Sequence, residues 1–247
     1  MKGFYQQVDL KVDRGFILHL EEKIFIFIGP PGAGKGSLST LCTQEFGWKQ
    51  LSTGNLCRRH IAKETSIGKK IDFTIKSGKL IADELITRMI IDWFMNFSAN
   101  GNTTILDGYP RTIGQARSFG NFIRKTFVDS QLKIVKLLIP DDVVIKRLGR
   151  RYVCQNSDCQ AIYSLKPGSI NHSKKSFTCD YCTSSLGRRD DDKEKTVRER
   201  LKTYYKFEDE LLNFYQHEGR AIKKVNVDKP LNKVFEDFKT LIASKIV

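Results

Sequence analysis

The residues best suited to chemistry lie in one glycine-rich run, Gly29-Pro30-Pro31-Gly32-Ala33-Gly34-Lys35-Gly36-Ser37, which follows the apolar segment Phe25–Ile28. Glycines let backbone N–H groups converge on an anion, and a following helix adds the positive end of its dipole. Lys35 would neutralise the β- and γ-phosphates, and the Ser37 hydroxyl would hold Mg²⁺ directly or through water. We therefore predict that a nucleoside triphosphate binds to Gly29, Gly32, Ala33, Gly34, Lys35, Gly36 and Ser37.

A second candidate segment, Asp107-Gly108-Tyr109-Pro110-Arg111, follows the apolar run Thr103–Leu106. The Asp107 carboxylate would hold Mg²⁺ through water. Guanidinium groups present fork-shaped donors that match phosphate oxygens. Arg111 ends this segment, and Arg147, Arg150, Arg189 and Arg200 bracket the segment 152–188, so these arginines could surround phosphate oxygens. On the residues alone, a solvated basic face is the alternative interpretation of these arginines.

Four cysteines form two close pairs, Cys154 with Cys159 and Cys179 with Cys182, and 19 residues separate the pairs. Two short thiolate knuckles are typical of a closed, tetrahedral zinc site. Free thiols would leave the surrounding segment 152–188 with almost no core, and disulfides suit an oxidising compartment. We predict a structural Zn²⁺ bound by all four cysteines and distant from the chemistry.

Strands and helices must alternate to position these segments. The predicted strands are Lys23–Ile28, Thr103–Leu106, Lys133–Ile139 and Ala221–Val227, and Phe16–Leu20 could form another. The predicted helices are Lys35–Phe46, Thr53–Lys76, Ala82–Asn96, Gln115–Lys125, Asp141–Arg151, Asp192–Gln216 and Leu231–Lys245. This alternation predicts an α/β fold, a parallel sheet covered by helices on both faces. Ligands bind at the carboxyl ends of such strands, so both loops should face one crevice.

Length and charge narrow the classes of protein. A chain of 247 residues can form one full core with inserted lobes. Lys and Arg number 42 against 28 Asp and Glu, and the resulting charge of +14 favours polyanionic partners. No apolar run approaches the roughly 18 residues of a membrane span, and the first residues lack a signal-peptide region. We expect a cytoplasmic protein, with a mitochondrial location left open.

Together, these motifs resemble those of the adenylate kinases, which are nucleoside monophosphate kinases, in their long-lid form. The matching segments are Gly29–Ser37, Leu51–Gly54 with Arg58, Gly78–Ile81 with Asp83 and Glu84, Asp107–Thr112 with Gln115, Arg147–Arg151, Arg189–Asp192 and Thr196–Arg200. The resemblance implies a phosphate-loop core over 23–151 and 189–247. It also implies an inserted AMP-binding lobe over 53–82 (the helical lobe), a zinc-type lid over 152–188 (the Cys lobe) and an N-terminal extension over 1–22.

The resemblance further implies reversible, Mg²⁺-dependent phosphoryl transfer from ATP to AMP, giving two ADP. Its implied catalytic residues are Lys35, Asp107, Arg111, Arg147, Arg150, Arg189 and Arg200. Its implied AMP-binding residues are Thr53, Arg58, Lys79, Leu80, Ile81, Gly108, Arg111 and Gln115. Such transfer needs positioning, charge neutralisation and exclusion of water, and no general base. We expect nucleotides as partners, no nucleic acid and a monomer.

Three features depart from the family's pattern. Asn55 stands where the family usually has Asp, which keeps a hydrogen-bond acceptor and loses a charge. Ser37 replaces the usual Thr and keeps the hydroxyl. The first cysteine pair encloses four residues instead of the usual two. The first two changes remove no group that the reaction needs, and the third widens the predicted zinc knuckle.

Three alternatives remain at this point. A GTP:AMP phosphotransferase would carry the same motifs, because the donor base is read largely by backbone near Val227–Pro230. A zinc-containing nucleic-acid-binding protein would suit the charge and the cysteines. It predicts basic residues interleaved with aromatics along one face, whereas here they cluster around the phosphate-loop motifs. The third alternative is a catalytically inactive relative that only senses nucleotides. The presence of Lys35, Asp107, Arg111 and Arg147 argues against it.

Overall fold

The computed structural model describes residues 23–77, 79–97, 103–127, 130–164, 166 and 168–243. Its strands are β1 (Lys23–Ile28), β2 (Lys49–Ser52), β3 (Thr104–Asp107), β4 (Gln131–Leu138), β5 (Arg151–Cys154), β6 (Ile162–Ser164), β7 (Leu186–Gly187) and β8 (Ile222–Asn226). Its helices are α1 (Lys35–Phe46), α2 (Thr53–Ala62), α3 (Ser66–Lys76), α4 (Asp83–Phe97), α5 (Ile113–Thr126), α6 (Asp141–Gly149), α7 (Glu194–His217) and α8 (Leu231–Ala243). A short 3₁₀ helix, Asp190–Asp192, precedes α7.

Five strands form a parallel sheet in the order β2-β3-β1-β4-β8, with β1 at its centre. After the exposed Lys23, every residue of β1 is buried. Because alternate residues of a strand point to opposite faces, β1 contributes to two apolar clusters. Ile24 and Ile26 pack with residues of α2–α5 and α7, and Phe25 and Phe27 pack with residues of α1 and α8. The predicted α/β fold with helices on both faces is confirmed.

The helical lobe corrects one predicted element, because the helix Thr53–Lys76 is in fact two helices. The Thr65 hydroxyl caps α3 by accepting a hydrogen bond from the N–H of Gly68 at 3.0 Å. This local cap starts a new helix and turns the chain, with Glu64 at a φ of 48°. Gly68 lies so close to α2 that a Cβ there would be 2.1 Å from the His60 carbonyl oxygen. The two helices therefore touch at a position that admits only glycine.

One strand that the sequence did not predict and one predicted helix end also differ from the structure. Strand β2 was not predicted, because only Leu51 of its four residues is buried and so short a segment carries no pattern. The predicted helix Asp141–Arg151 is two residues too long, since α6 ends at Gly149 and Arg151 begins β5. In their described parts, the ends of the other predicted elements agree with the structure within two residues.

The Cys lobe has its own three-stranded antiparallel sheet in the order β6-β5-β7. Its small core consists of Cys154, Tyr163, Cys179 and Leu186. Residues 1–22 with the predicted strand Phe16–Leu20, and also Gly78 and the end of the last predicted helix, lie outside the described residues. In the part of the chain that is described, no helix is both long and apolar enough to cross a membrane.

Candidate active site

A cavity of about 670 Å³ opens where β1 and β3 end, and walls from both lobes and α7 enclose it. Every residue predicted to bind phosphate, magnesium or AMP lines this cavity, whereas the four paired cysteines do not. Its volume lies within the range of about 300–1,000 Å³ that is usual for small-molecule sites. The sheet topology explains the convergence, because the carboxyl ends of parallel strands meet at one edge.

The glycine-rich loop joins β1 to α1 and curls around Lys35. Gly34 precedes α1 at a φ of 93°, a left-handed conformation that glycine adopts without strain. Lys35 Nζ donates to the carbonyl oxygens of Gly29 at 2.7 Å and Pro30 at 2.9 Å. Burial lowers the Lys35 pKa to about 8, and the opposing effect of Asp107 only partly offsets it. The ammonium is thus held where an anion would stabilise its charge.

Asp107 and Ser37 both line the cavity. Asp107 ends β3 opposite Phe27 of β1 and Ser52 of β2. A Cβ on Gly36 would lie 3.3 Å from the Asp107 carboxylate, so the lack of a side chain there lets Asp107 approach the loop closely. Carboxylate and hydroxyl oxygens are the hard donors that Mg²⁺ prefers, and this pair fits a magnesium ion bound beside phosphates.

The turn after Asp107 is fixed by a network that orients Arg111. Arg111 Nε donates to the Gly108 carbonyl at 2.8 Å, and its backbone N–H donates to Gln115 Oε1 at 2.7 Å. Asp83 anchors the other side, accepting from Gln115 Nε2 at 2.8 Å and from the Thr112 hydroxyl at 2.6 Å. One amide hydrogen of Gln115 remains for a ligand, although both amide atoms already hold the turn.

A group of buried charges forms the side of the cavity next to the Cys lobe. Arg151 makes a two-pronged ion pair with Asp192, at 2.8 and 2.5 Å. Arg200 contacts the Asp191 carboxylate at 2.9 Å. Burial alone would raise the Asp191 pKa, but Arg200 and its neighbouring arginines outweigh it and hold that pKa below its usual value. The Asp191 carboxylate therefore stays ionised, and Asp191 and Asp192 together fix the arginines that they contact.

Arg189 differs from its neighbours. Within the described residues, its buried Nε and Nη2 atoms have no hydrogen-bond partner. Burial and the charges of Arg58 and Arg151 push its pKa well below the ordinary value. A buried guanidinium with unused donors is costly to the fold. It would be stabilised by a multivalent anion in the cavity, which is what a nucleotide phosphate supplies.

Arg147 and Arg150 reach the cavity in different ways. Arg147 Nη2 donates to the Val227 carbonyl at 2.6 Å, and so braces the loop after β8. Burial lowers the Arg147 pKa, against the effect of Asp228. Arg150 follows α6 and is exposed at the cavity's margin. Backbone carbonyl groups of the loop after β8 therefore hold the Arg147 guanidinium.

The helical lobe supplies the opposite wall. Thr53 begins α2 and is buried, and its hydroxyl has no hydrogen-bond partner among the described residues. Arg58 Nη2 donates to Asn55 Oδ1 at 2.6 Å. Lys79, Leu80 and Ile81 line the cavity from the connection between α3 and α4. An unpartnered hydroxyl beside a guanidinium again fits a phosphate ligand.

The four paired cysteines form the cluster that their spacing predicts. Their Sγ atoms all lie within 4.8 Å of one another, with 3.3 Å between Cys154 and Cys182 and 3.7 Å between Cys159 and Cys179. Ligands 2.3 Å from a tetrahedral zinc lie about 3.8 Å apart, so these distances are close to those of a bound site. The thiols are free of disulfides, and the wider first knuckle does not prevent the grouping.

The family model for adenylate kinase matches residues 27–220 of this chain. The chain belongs to the adenylate kinase family. It is 36% identical over 203 residues to an adenylate kinase of Borrelia garinii subsp. bavariensis, covering 82% of this chain and 89% of the relative. It is also 32% identical to one of Archaeoglobus fulgidus, with 88% and 96% covered, and 33% identical to one of Clostridium botulinum, with 88% and 97% covered.

Membership of this family makes the chain a nucleoside monophosphate kinase, a phosphotransferase that binds nucleotides. The predicted family and enzyme class are therefore confirmed, and nothing in the comparisons favours a nucleic-acid-binding protein. The matched segment spans the phosphate loop, both lobes and α7, and therefore most of the residues that line the cavity.

Sequence reasoning missed several residues that build the site. Asp83 had been quoted within a motif without a role, yet it holds Gln115 and Thr112. Asp191 and Asp192 hold Arg200 and Arg151, a role that the sequence did not reveal. Gln160 lies in the Cys lobe, belongs to no motif, and accepts a hydrogen bond from Arg58 of the helical lobe. A contact between segments distant in sequence leaves no local pattern that could reveal it.

Proposed function

We propose that this enzyme transfers the terminal phosphoryl group of ATP to AMP, reversibly, giving two molecules of ADP. The observation that carries the proposal is the pairing, in one cavity, of a lysine-bearing phosphate loop with buried, unpartnered donors on Arg189 and Thr53. Two nucleotides joined phosphate to phosphate within this one cavity would bring phosphate oxygens to all of these groups.

On the donor side, the loop Gly29–Ser37 binds the triphosphate. Backbone N–H groups and the N-terminus of α1 contact its oxygens, and α1 carries no acidic residue in its first turn that would compete. Lys35 exchanges its two carbonyl partners for phosphate oxygens and follows the migrating group as a point charge. Ser37 and Asp107, the latter through water, would hold Mg²⁺, which when bound neutralises charge on the β- and γ-phosphates.

On the acceptor side, Thr53 and Arg58 bind the AMP phosphate. Lys79, Leu80 and Ile81 surround its adenine, with Gly108 and the remaining amide hydrogen of Gln115 at the base edge. Arg111, Arg150, Arg189 and Arg200 surround the transferred group, and Arg147 supports them from the donor loop. In-line placement and charge neutralisation carry the reaction, and the acceptor phosphate needs no general base because it is already an anion.

The division into lobes has a clear role in this account. The core over 23–151 and 189–247 holds the phosphate loop, the helical lobe over 53–82 brings AMP, and the Cys lobe over 152–188 covers the donor. Zn²⁺ at Cys154, Cys159, Cys179 and Cys182 would stabilise a lobe whose core has only a few buried side chains. Its chemistry is structural, because the cluster lies outside the lining of the cavity.

A coupled assay with ATP and GTP as donors, across AMP, GMP, CMP and UMP as acceptors, tests the proposal. We expect ATP with AMP to give the highest kcat/KM. GTP replacing ATP at equal efficiency would instead favour a GTP:AMP phosphotransferase, since backbone near Val227–Pro230 reads the donor base. Equal turnover with CMP or UMP would contradict AMP as the acceptor.

A further inference from the structure

The first cysteine pair encloses a loop that reaches out of the Cys lobe and contacts the helical lobe. Gln160, directly after Cys159, is 7% exposed and has a φ of 49°. A buried, polar, non-glycine residue in this left-handed conformation is unfavourable by itself and persists where surrounding contacts fix it. The contacts of Gln160 should therefore explain why this residue, directly after the first cysteine pair, keeps its conformation.

The Gln160 side chain makes three hydrogen bonds, two of which join the Cys lobe to the helical lobe. Its Oε1 accepts from Arg58 Nε at 3.1 Å, and its Nε2 donates to the Asn55 carbonyl at 3.0 Å and to the Ser157 carbonyl at 2.8 Å. Both amide hydrogens are used, so the side chain is fully engaged. Gln160 does not itself line the cavity, whereas Arg58 does.

Arg58 is thereby held by two neutral oxygens, Oε1 of Gln160 and Oδ1 of Asn55. A carboxylate in either place would fix the guanidinium equally well but neutralise part of its charge. Burial lowers the Arg58 pKa to about 10, against the effect of Asp191, so the group stays protonated at neutral pH. Neutral amides thus orient Arg58 and leave its charge for a phosphate.

Nearby charges strengthen the same contact. Asp158, inside the first knuckle and two residues before Gln160, lies 3.3 Å from Arg59 and 3.1 Å from Lys63 on the helical lobe. These groups are well exposed, so screening by solvent and salt keeps their contribution small. The buried amide of Gln160 is the specific part of the contact.

We propose that Gln160 is a positioning residue for the monophosphate acceptor. When the Cys lobe meets the helical lobe, Gln160 fixes Arg58 in the orientation that binds the acceptor's phosphate. The contact makes acceptor affinity depend on closure of the Cys lobe. This inference rests on the proposed function and adds to it a residue that lies outside the cavity, directly after the first cysteine pair.

The test compares Gln160→Ala with Gln155→Ala, a glutamine of the same lobe whose Nε2 donates to the Val153 carbonyl within that lobe. Steady-state kinetics in the full enzyme should show the AMP KM of Gln160→Ala raised about tenfold, as for one or two lost hydrogen bonds. The ATP KM should stay within about twofold, and Gln155→Ala should match the wild type in both.

A second variant, Gln160→Met, keeps the length of the side chain and removes its hydrogen bonds. It should raise the AMP KM as much as Gln160→Ala does. A wild-type AMP KM in Gln160→Met, or equal rises in both KM values, would overturn the proposal and leave Gln160 a packing residue. Wild-type enzyme that transfers no phosphoryl group from ATP to AMP would instead refute the proposed function.

Discussion

At the scale of single residues, Lys35 is a buried positive charge in the phosphate loop. Its ammonium is buried between two loop carbonyls, with Asp107 as a nearby negative charge and several arginines around it. The protein therefore holds this charge at a cost to folding. That cost makes sense only if a bound anion offsets it, and two predictions follow from the physics of this one group.

Replacement of Lys35 by Met should lower kcat by at least about 10²–10³-fold, because a positioned charge on the transferred group is lost. The melting temperature should not fall, since the variant no longer buries a charge. Turnover measured beside thermal unfolding checks both. Lys224→Met, at an exposed position on β8, is the control and should leave both unchanged. Near-normal turnover in Lys35→Met would contradict the loop assignment.

Stability should also depend on pH through Lys35. Its pKa is about 8 in the fold and about 10.4 in an unfolded chain, so between these values the unfolded state binds more protons. The Lys35 contribution to the free energy of unfolding therefore rises as pH increases from about 8 to 10. The free energy of unfolding, measured with urea at several pH values in this range, should rise more steeply with pH in wild type than in Lys35→Met. Parallel pH profiles of the two proteins would contradict the lowered pKa.

At the scale of elements, the sequence predicted most of the sheet and its covering helices. β1 and α1 were found with their correct ends, because a buried apolar run and a glycine loop are strong local signals. The break between α2 and α3 was missed, since it depends on the Thr65 cap and on the close packing of Gly68. Strand β2 was missed because pairing with β3, and not its own pattern, makes it a strand.

The site shows the same division. Residues in compact motifs, such as Lys35, Asp107 and Arg189, were predicted and line the cavity. Residues whose role comes from distant partners were not. Gln160 bonds to Arg58 across 102 positions of the chain, and Asp83 to Gln115 across 32. Only the folded chain brings such pairs together.

The connection of α4 to the Arg111 turn can be tested through Asp83. Asp83→Ala would leave Gln115 Nε2 and the Thr112 hydroxyl without their acceptor. Hydrogen bonds to a charged group contribute about 1.5–3 kcal/mol, so we expect a clear loss of stability and a raised AMP KM. Glu84→Ala, its exposed neighbour on α4, should change neither in the same denaturation and kinetic measurements.

At the scale of the whole molecule, the Cys lobe should depend on its metal while the core does not. Cys179→Ser should abolish stoichiometric zinc and lower the melting temperature, because the lobe has few apolar residues to replace the metal. Activity should persist at low temperature, since the cavity is formed without the cysteines. Elemental analysis should find about one zinc per chain in wild type, and metal-free protein with an unchanged melting temperature would refute the zinc site.

The charges of the molecule are arranged for the same task. Arg58 comes from α2, Arg151 from β5, and Arg189 and Arg200 from the segment that leads into and along α7, yet their charges act on one another in the folded chain. Two buried carboxylates hold some of them, and Arg189 keeps unused donors. The folded chain therefore brings these positive charges from distant segments around one cavity.

The central claim is direct transfer between two nucleotides, and a label on the γ-phosphate of ATP tests it most directly. Purified enzyme is mixed with labelled ATP, unlabelled AMP and Mg²⁺, and the early products are separated. We predict that the label appears in the β-phosphate of ADP formed from AMP, in step with the loss of ATP and with little free phosphate. Label released as inorganic phosphate, or retained in ATP, would contradict the account.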